Sequence, residues 1–346
     1  MATTAHAFVK VYAILRCTLR ITETQFVELL RRQSARHARG LSNLSGLRRG
    51  IGEDCAVIAD TRKKDLLVTT DLFLEGVHFR RGWQEPRSVG HKVLARGLSD
   101  IAAMGGTARY AFLSLGLPRK LEPGWMNAFL RGFFELATAE KVILAGGDTG
   151  ASQSGFVADV ILVGEAPRGR SILRSGARPG DEIWVTGRLG LASLGLRTIR
   201  AATVRERVRL AKAELLQSFY YPQPRLRIGR FLRERKLASA MIDLSDGLSL
   251  DLARLCKESE AGARVFEAQI PRSSQTPLRD ALHGGEDLEL LFTVPPGRSH
   301  ALPGSIGGVK LTRVGQIIPS GRPGKKLLLV RGDEEHPLPV LGFQHF

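Results

Sequence analysis

Cysteine is scarce in this chain of 346 residues: Cys17, Cys55 and Cys256 lie far apart and form no CxxC pair. The sequence therefore encodes neither a disulfide framework nor a structural zinc site, and it predicts a protein of a reducing compartment, the cytoplasm. Long apolar runs are also missing. Lys10 and Arg16 interrupt the apolar stretch near the start, and no run approaches the ~20 residues of a membrane span. We expect no membrane partner.

Aromatic residues are few as well, at 6%, although the chain is strongly basic, with 51 Lys and Arg against 34 Asp and Glu. No basic run alternates with aromatic residues as a stacking platform for nucleic acid would, and no helix-turn-helix or zinc-finger spacing is present. A net charge of +17 favours anionic ligands, or it is the charge of a solvated arginine-rich surface. We expect no specific nucleic-acid partner.

Several familiar catalytic motifs are absent. Without GxxxxGK[ST] the chain has no P-loop, and without H-R-D and D-F-G it is not a protein kinase. The lack of G-x-S-x-G argues against an α/β-hydrolase, and the eight histidines form no HExxH zinc motif.

The sequence does contain a set of acidic residues beside glycine, serine or threonine at the ends of apolar runs. Seven positions share this placement: Asp54, Asp71, Asp100, Asp148, Asp243, Asp246 and Glu286. A buried carboxylate must be paired or must coordinate a cation. Hard cations such as Mg²⁺ would neutralise carboxylates that converge with too few Lys or Arg partners. The pattern therefore predicts a metal-phosphate site.

Two of these acids follow or precede predicted strands. Thr69–Thr70–Asp71 offers two hydroxyls and a carboxylate at one strand end, which are oxygen ligands of the type that Mg²⁺ prefers. Asp54 comes just after Gly52 and before another predicted strand. Each motif alone is also explained by an ordinary turn, in which the carboxylate accepts a hydrogen bond from a backbone N–H group.

Asp100 lies in the last turn of a helix that the apolar periodicity predicts over Ser88–Met104. An acid there opposes the helix dipole, at a cost of several tenths of a kcal/mol, unless a cation compensates it. An ordinary exposed helix residue is the alternative interpretation.

The segment around Asp243 holds two acids three residues apart. Strand alternation predicts that Asp243 and Ser245 lie on one side of a strand end, while Asp246–Gly247 forms the turn. Such a pair calls for cations. The alternative is that Asp246 caps the N-terminus of the helix predicted from Leu248.

Two glycine pairs precede further acids. Gly146–Gly147–Asp148–Thr149 would let backbone N–H groups approach a phosphate while Asp148 holds its metal. Gly284–Gly285–Glu286–Asp287 repeats this arrangement before a strand. His78 is a candidate substrate contact, with a structural role as the alternative.

Strands and helices alternate along the chain, which predicts an α/β protein of two lobes, each a mixed sheet with helices packed on it. A stretch rich in glycine, proline and arginine over 164–180 is the predicted joint. We expect a disordered leader over 1–20, a first domain over 21–165 that binds ATP and Mg²⁺, and a second domain over 166–346 that completes the site. The first domain is predicted to open with a short amphipathic helix over Thr22–Arg36.

In order and spacing, these motifs resemble the thiamine-monophosphate kinases, a family of the aminoimidazole-ribonucleotide-synthetase-like superfamily of ATP-binding proteins. The resemblance covers most of the chain. It rests on GIGEDCAV (50–57), VTTDLFLEGVHF (68–79), KVLARGLSDIAAMGG (92–106), GGDTG (146–150), LRSGARPGD (173–181), IDLSDGLSLDL (242–252), GGEDLELLFTVP (284–295) and GFQHF (342–346).

The resemblance implies the two-lobed fold of that superfamily, a homodimer formed through the first lobe, and transfer of the γ-phosphoryl group of ATP to thiamine monophosphate with the help of several Mg²⁺ ions. The Mg²⁺ ligands that it implies are Asp54, Thr69, Thr70, Asp71, Asp100, Asp148, Asp243 and Asp246. The implied ATP contacts are Gly147, Asp148, Arg174 and Ser245, and the implied thiamine contacts are His78, Glu286 and Phe343. No general base or nucleophile is predicted, because the acceptor phosphate oxygen is already ionised at neutral pH.

The chain departs from the family at Glu53, where an Asp is usual, and at Gly97, where an Asn is usual. We therefore expect Asp54 rather than Glu53 to be the ligand. The nearest rival enzymes share the fold: aminoimidazole ribonucleotide synthetase, selenophosphate synthetase and the hydrogenase-maturation dehydratase. Selenophosphate synthetase needs a reactive Cys or selenocysteine in an N-terminal glycine-rich loop, and the dehydratase needs a Cys at the C-terminus. This chain has neither feature. A rival of another class is a non-catalytic protein that binds anions or nucleic acid, which predicts salt-sensitive binding without ATP turnover.

Overall fold

A computed structural model of the chain describes residues 47–60, 63–203, 205–206, 214–320 and 327–345, together with Gln25, Glu28 and Arg31. The chain divides into one unit over 46–343, which carries all the elements below, and another over 1–45 and 344–346. The predicted leader over 1–20 and most of the predicted helix Thr22–Arg36 lie outside the described residues. Of that helix, the three described residues are helical.

The first sheet has six strands in the order β1-β2-β3-β6-β4-β5, all antiparallel to their neighbours except the parallel pair β4 and β5. Its strands are β1 (Leu47–Arg49), β2 (Ala56–Ala59), β3 (Lys64–Leu74), β4 (Thr107–Pro118), β5 (Ile143–Ser152) and β6 (Val157–Pro167). The helices that belong to this half are α1 (Pro86–Ala103) and α2 (Trp125–Ala139).

The second sheet has eight strands, seven of them in the order β14-β13-β9-β12-β7-β10-β8, with β11 beside β12. Its strands are β7 (Glu182–Thr186), β8 (Ala240–Leu244), β9 (Gly262–Phe266), β10 (Glu289–Val294), β11 (Ser305–Ile306), β12 (Val309–Ile318), β13 (Leu327–Arg331) and β14 (Glu334–Pro337). Its helices are α3 (Leu191–Ala201), α4 (Glu214–Tyr220), α5 (Leu226–Glu234), α6 (Leu248–Glu258) and α7 (Leu278–His283). The strands β9, β12, β13 and β14 were not predicted from the sequence.

Helix α1 lies between the two sheets and positions much of the site. It contacts β3, β4 and β6 of the first sheet, and also β8, β10 and α5 of the second half. Pro86 begins it at a position where a missing N–H costs nothing, and Gly105, with φ of +65°, follows its end. Because α1 is covered on both sides, nearly all of its residues are buried, and one core cluster runs from the first sheet through α1 to α5, β8 and β10.

The structure confirms the predicted α/β class with two mixed sheets and corrects two local predictions. The sequence predicts an acid-glycine turn over Gly146–Thr149 after a strand, but this segment belongs to β5. Thr70 was expected at a strand end, but β3 continues to Leu74. In the part of the chain that the structure describes, none of the helices combines the length and the apolar character that crossing a membrane requires.

Candidate active site

Three carboxylates from different elements converge where the two sheets face α1. Asp54 precedes β2, Asp100 is in the last turn of α1, and Asp243 is on β8. Each offers an oxygen atom, and these three atoms lie within 4.8 Å of one another. Both halves of the chain therefore contribute to a single acidic cluster, which holds three of the seven acids that share the sequence pattern.

Asp54 is the member of this cluster that has its own cation. The Arg174 guanidinium donates from Nε to Asp54 Oδ2 at 2.9 Å and from Nη2 to Asp54 Oδ1 at 3.1 Å. The Asp54 side chain is fully buried, so this forked pair offsets the cost of removing the carboxylate from water. Burial opposes the charge of Arg174, but Asp54 and then Asp243 and Asp100 outweigh it and raise the Arg174 pKa above its ordinary value.

Asp100 and Asp243 form no ion pair with Lys or Arg among the described residues. The hydroxyl of Thr69 donates to Asp100 Oδ2, and the hydroxyl of Ser245 lies 3.4 Å from Asp243 Oδ1. Burial raises the pKa of Asp100, and Asp243, Asp71 and Asp54 raise it further. Burial and Asp54 likewise raise the pKa of Asp243. Among the described residues, neither of these two adjacent acids has a direct ion pair of its own, which is the situation that a bound cation relieves.

These raised pKa values predict how the stability of the metal-free protein depends on pH. An acid whose pKa is higher in the folded than in the unfolded protein stabilises the fold when the pH is below the unfolded-state pKa, which is near 4. This stabilisation is lost as the pH rises to the pKa of the acid in the folded protein. Asp100→Asn removes the charge, so with divalent cations chelated it should stabilise the fold more at pH 8 than at pH 5, by on the order of 1–2 kcal/mol. Urea unfolding at both pH values measures this, and an equal effect at both would contradict it.

The Thr69–Thr70–Asp71 motif is split between the two faces of β3, because the strand continues through it. Thr69 and Asp71 point toward α1, where Arg96 donates from Nε and Nη2 to Asp71 Oδ1 at 3.1 and 2.9 Å. Thr70 lies on the opposite, open face and donates to Asp159 at 2.9 Å. The motif therefore brings one of its two hydroxyls to the acidic cluster.

Asp148 also lies on the open face of the first sheet, exposed on the edge strand β5. It is in register with Ser114 of β4, which is in register with Asp159 of β6. Gly147 is required here by close approach, since a Cβ atom would lie 1.9 Å from the carbonyl oxygen of Leu113. Among the predicted ligands, Thr70 and Asp148 are thus on the other side of the sheet from Asp100.

The turn after β8 is held by an acid that the sequence analysis did not single out. Asp251 accepts hydrogen bonds from the backbone N–H groups of Asp246 and Gly247, both at 3.0 Å. Asp246 itself makes no capping bond to α6, so the alternative that it caps this helix is wrong; its carboxylate instead bonds to Arg254. Burial and the neighbouring Asp246 raise the pKa of Asp251 to about 7.

The three predicted thiamine contacts gather beside this acidic region. His78 is buried, stacks on Phe73 with ring centroids 5.2 Å apart, and lies 6.2 Å from the ring of Phe343. Its Nδ1 accepts the backbone N–H of Leu74 at 2.9 Å, so Nε2 carries the proton of the neutral ring. The Phe343 N–H donates to the carbonyl oxygen of Asp246 at 3.2 Å. This bond ties the aromatic contact to the turn that carries the acids.

Glu286 is held by a lysine of α1 that is fully buried. Lys92 Nζ lies 3.0 Å from Glu286 Oε1 and 4.0 Å from the centre of the Phe219 ring. Burial lowers the pKa of Lys92, although Glu286 opposes that shift. The Glu286 backbone has a φ of +70°, which is uncommon for a residue with a side chain. Its N–H donates to the Ser245 carbonyl oxygen at 2.8 Å, so the two glycine-rich acidic turns are bonded together.

The two departures from the family have structural explanations. The Glu53 carboxylate accepts the backbone N–H of Arg174 at 2.8 Å, and burial raises its pKa. Glu53 therefore anchors the segment that presents Arg174. Gly97 faces the first sheet, where a Cβ atom would lie 2.9 Å from Leu162 Cδ1. The missing side chain lets α1 pack closely on β6.

The two described cysteines are unsuited to nucleophilic chemistry. Cys55 and Cys256 are buried free thiols. Burial, followed by Asp100 and Asp54, raises the pKa of Cys55 well above its ordinary value, and burial raises the pKa of Cys256 to about 12. Both stay protonated at neutral pH, and a thiol in this state is a poor nucleophile. Cys17 lies outside the described residues.

Comparison with known proteins agrees with this arrangement. Residues 52–166 match the family model of the N-terminal domain of AIR synthase related proteins, and residues 178–328 match that of the C-terminal domain. The thiamine-monophosphate kinase of Escherichia coli K12 is 37% identical over 311 residues, which cover 86% of this chain and 91% of the relative.

Two solved structures are similar throughout. The structure of AaThiL complexed with AMPPCP and TMP gives a TM-score of 0.76 at 28% identity and covers 95% of this chain and 100% of its own. The thiamine-monophosphate kinase of Stenotrophomonas maltophilia K279a gives 0.69 at 32% identity, with 85% and 93% covered. These matches confirm the predicted fold, and the chain belongs to the thiamine-monophosphate kinase family of AIR synthase related proteins.

Proposed function

We propose that this protein transfers the γ-phosphoryl group of ATP to thiamine monophosphate, giving thiamine diphosphate and ADP. The observation that carries the proposal is the cluster of Asp54, Asp100 and Asp243, next to the aromatic and acidic residues His78, Phe343 and Glu286. The first group suits the binding of phosphates through cations, and the second suits a cationic heteroaromatic ring. The relatives named thiamine-monophosphate kinase, and the AaThiL complex with AMPPCP and TMP, support the same reaction.

The acidic cluster fits Mg²⁺ by the chemistry of its donors. Its carboxylate oxygens are hard ligands, and Asp100 and Asp243 form no ion pair with Lys or Arg among the described residues. The proposed ligands are Asp54, Thr69, Thr70, Asp71, Asp100, Asp148, Asp243 and Asp246. Bound Mg²⁺ would neutralise the charge of the phosphates that must approach one another. Thr70 and Asp148 lie on the open face of the first sheet, away from Asp100. We therefore propose that the Mg²⁺ they hold binds a different part of the ATP triphosphate from the Mg²⁺ near Asp100.

The chain's own residues orient the two substrates. Arg174 and Ser245 flank Asp54 and Asp243, and we propose that they hold the ATP phosphates together with the Gly147–Asp148 segment. His78 and Phe343 offer ring faces to the thiamine rings, and Glu286 offers a carboxylate to the cationic end of thiamine. Positioning and charge neutralisation then suffice, because the acceptor oxygen is already anionic and needs no general base.

We further propose that the protein is a cytoplasmic homodimer with domains over 21–165 and 166–346. Large apolar side chains are exposed on the open face of the first sheet: Leu72, Tyr110, Phe112 and Ile143. Large exposed apolar side chains that share one face of a sheet are typical of a protein interface, which supports a partner copy that contacts these four residues. The buried free thiols of Cys55 and Cys256 support a reducing compartment.

The reaction is tested by incubating the protein with Mg²⁺, ATP and thiamine monophosphate and separating the products by chromatography. We expect thiamine diphosphate and ADP in equal amounts. Free thiamine and aminoimidazole ribonucleotide precursors serve as competing acceptors and should give no phosphorylated product. Phosphorylation of either competitor in preference to thiamine monophosphate would contradict the proposal.

His78→Ala should chiefly weaken the use of thiamine monophosphate, because it removes a ring that stacks on Phe73 and lies beside Phe343, the rings of His78 and Phe343 both being part of the proposed thiamine site. Loss of one aromatic contact costs about 0.5–1.5 kcal/mol, so we expect the KM for thiamine monophosphate to rise roughly 3- to 10-fold, with the KM for ATP little changed. His336→Ala is the matched control, since His336 is in β14 and contacts Glu334 instead. An unchanged KM for thiamine monophosphate would assign His78 a structural role.

A further inference from the structure

Helix α1 presents a row of charged residues to the site. Lys92, Arg96 and Asp100 are spaced four residues apart, which places them on one face of the helix. Asp100 belongs to the acidic cluster, and Lys92 contacts Glu286. Arg96 lies between them, and neither the family resemblance nor the proposed reaction has given it a role.

The Arg96 side chain links the metal-binding part of the proposed site with the thiamine-binding part. Its guanidinium bonds to Asp71 through Nε and Nη2, while Nη1 is 4.0 Å from Glu286 Oε1. The guanidinium also lies 5.8 Å from the centre of the Phe73 ring, the ring on which His78 stacks. Arg96 thus touches members of both groups of residues.

Arg96 keeps its positive charge over the whole pH range in which the protein would be assayed. Burial alone would lower its pKa, but Asp71, Glu286 and Asp246 outweigh burial and raise the pKa above its ordinary value. The side chain is 18% exposed, so part of the guanidinium remains open to a ligand. Both bonds to Asp71 end on one carboxylate oxygen, whereas Nη1 is beyond hydrogen-bond distance of Glu286, which leaves N–H donors that can reach a ligand.

We propose that Arg96 binds the phosphate of thiamine monophosphate, the group that accepts the phosphoryl transfer. This inference rests on the proposed function. A phosphate that is linked to a thiamine held by His78, Phe343 and Glu286 must meet the ATP tail at the acidic cluster. Arg96 lies between these two groups, because it bonds to Asp71 and approaches Glu286. A planar guanidinium suits this task, because its fork matches two phosphate oxygens. Asp71 orients the fork from one side.

Binding measurements separate this role from a structural one. Thiamine monophosphate and free thiamine, which lacks the phosphate, are each titrated calorimetrically into protein that holds Mg²⁺ and AMPPCP. The proteins compared are the wild type, R96M, R96K and R87M. Arg87 is the matched control, because it is on the same helix and pairs with Glu135 on the exposed side.

We expect R96M to weaken the binding of thiamine monophosphate by roughly 10- to 100-fold and to change the binding of thiamine less than about 3-fold. R96K, which keeps the charge but loses the fork, should fall between R96M and the wild type, and it carries the test if R96M does not fold. R87M should bind like the wild type. Equal weakening of both ligands, or no weakening of either, would overturn the role of Arg96.

Turnover by the wild type separates this inference from the proposed function. If the wild type forms thiamine diphosphate from ATP while R96M and R96K bind thiamine monophosphate normally, the inference fails and the function stands. If the wild type forms no thiamine diphosphate, the function fails and the inference fails with it.

Discussion

Asp243→Asn should abolish most of the activity and at the same time stabilise the protein when metal is absent. Asp243 is buried on β8, shares the acidic cluster with Asp54 and Asp100, and forms no ion pair with Lys or Arg among the described residues. Losing a metal-bound carboxylate costs several kcal/mol of transition-state stabilisation, so we expect turnover to fall by roughly two to three orders of magnitude. Removing a buried charge that has no direct ion pair should raise the free energy of unfolding by about 1–2 kcal/mol in chelator.

Asp280→Asn is the matched control for this experiment. Asp280 is also buried, but it pairs with Arg197, which is half exposed, at 2.8 Å. Its substitution should leave turnover nearly unchanged and lower the free energy of unfolding by at most about 1 kcal/mol. Steady-state kinetics and urea unfolding in chelator give both values for each variant. If Asp243→Asn lost activity and stability together, Asp243 would be a structural residue and not a cation ligand.

Arg174→Met should destabilise the fold more than any other substitution considered for the site. It leaves the fully buried Asp54 carboxylate without the forked partner that offsets its burial. Breaking one side of a buried ion pair costs about 3–5 kcal/mol, so we expect a loss of that size in urea unfolding, together with an increased KM for ATP. A loss below about 1 kcal/mol would contradict the assigned pairing.

The double variant Asp54→Asn/Arg174→Met separates the two functions of this pair. Because Asp54→Asn removes the buried negative charge, the double variant should recover most of the stability that Arg174→Met loses. Activity should not return, since the proposed ATP contact and a proposed metal ligand are both missing. Recovery of turnover in the double variant would show that Arg174 serves only to neutralise Asp54.

The convergence of the acids could be predicted from the sequence, because each one ends an apolar run or a helix. Asp54, Asp100 and Asp243 come from three segments that are up to 189 positions apart in the sequence, yet the structure brings them together. His78 and Phe343, which the family resemblance implies as contacts of one substrate, are neighbours in the structure, with ring centroids 6.2 Å apart. The ends of strands and helices lie where the buried core borders an open cleft. An acid that ends an apolar run is therefore placed at the cleft, and a local sequence pattern can indicate it.

The strand faces and the charge partners could not be predicted in the same way. Whether Thr69 or Thr70 points toward α1 depends on how β3 pairs with β6, and this pairing continues for four residues past Thr70. Asp148 was assigned to a turn because Gly146 and Gly147 suggest one, whereas Gly147 is needed for the contact of β5 with Leu113. Long-range strand pairing decides both points, and a short motif carries no information about it.

The basic residues of the site were missed for a different reason. Arg96, Arg254 and Lys92 were counted as part of a net charge of +17 and not as individual partners of acids. The four-residue spacing of Lys92, Arg96 and Asp100 on the predicted helix was the available signal. A cation one or two helical turns from an acid lies on the same face of the helix and can reach the same site.

The most direct test of the account is the fate of the γ-phosphorus of ATP. The wild-type protein is incubated with Mg²⁺, thiamine monophosphate and ATP labelled with ³²P at the γ position, and the labelled products are separated by chromatography. Direct transfer at the acidic cluster predicts that the label appears in thiamine diphosphate in an amount equal to the ADP formed. Label that appears as inorganic phosphate, or that stays bound to the protein, would contradict the account.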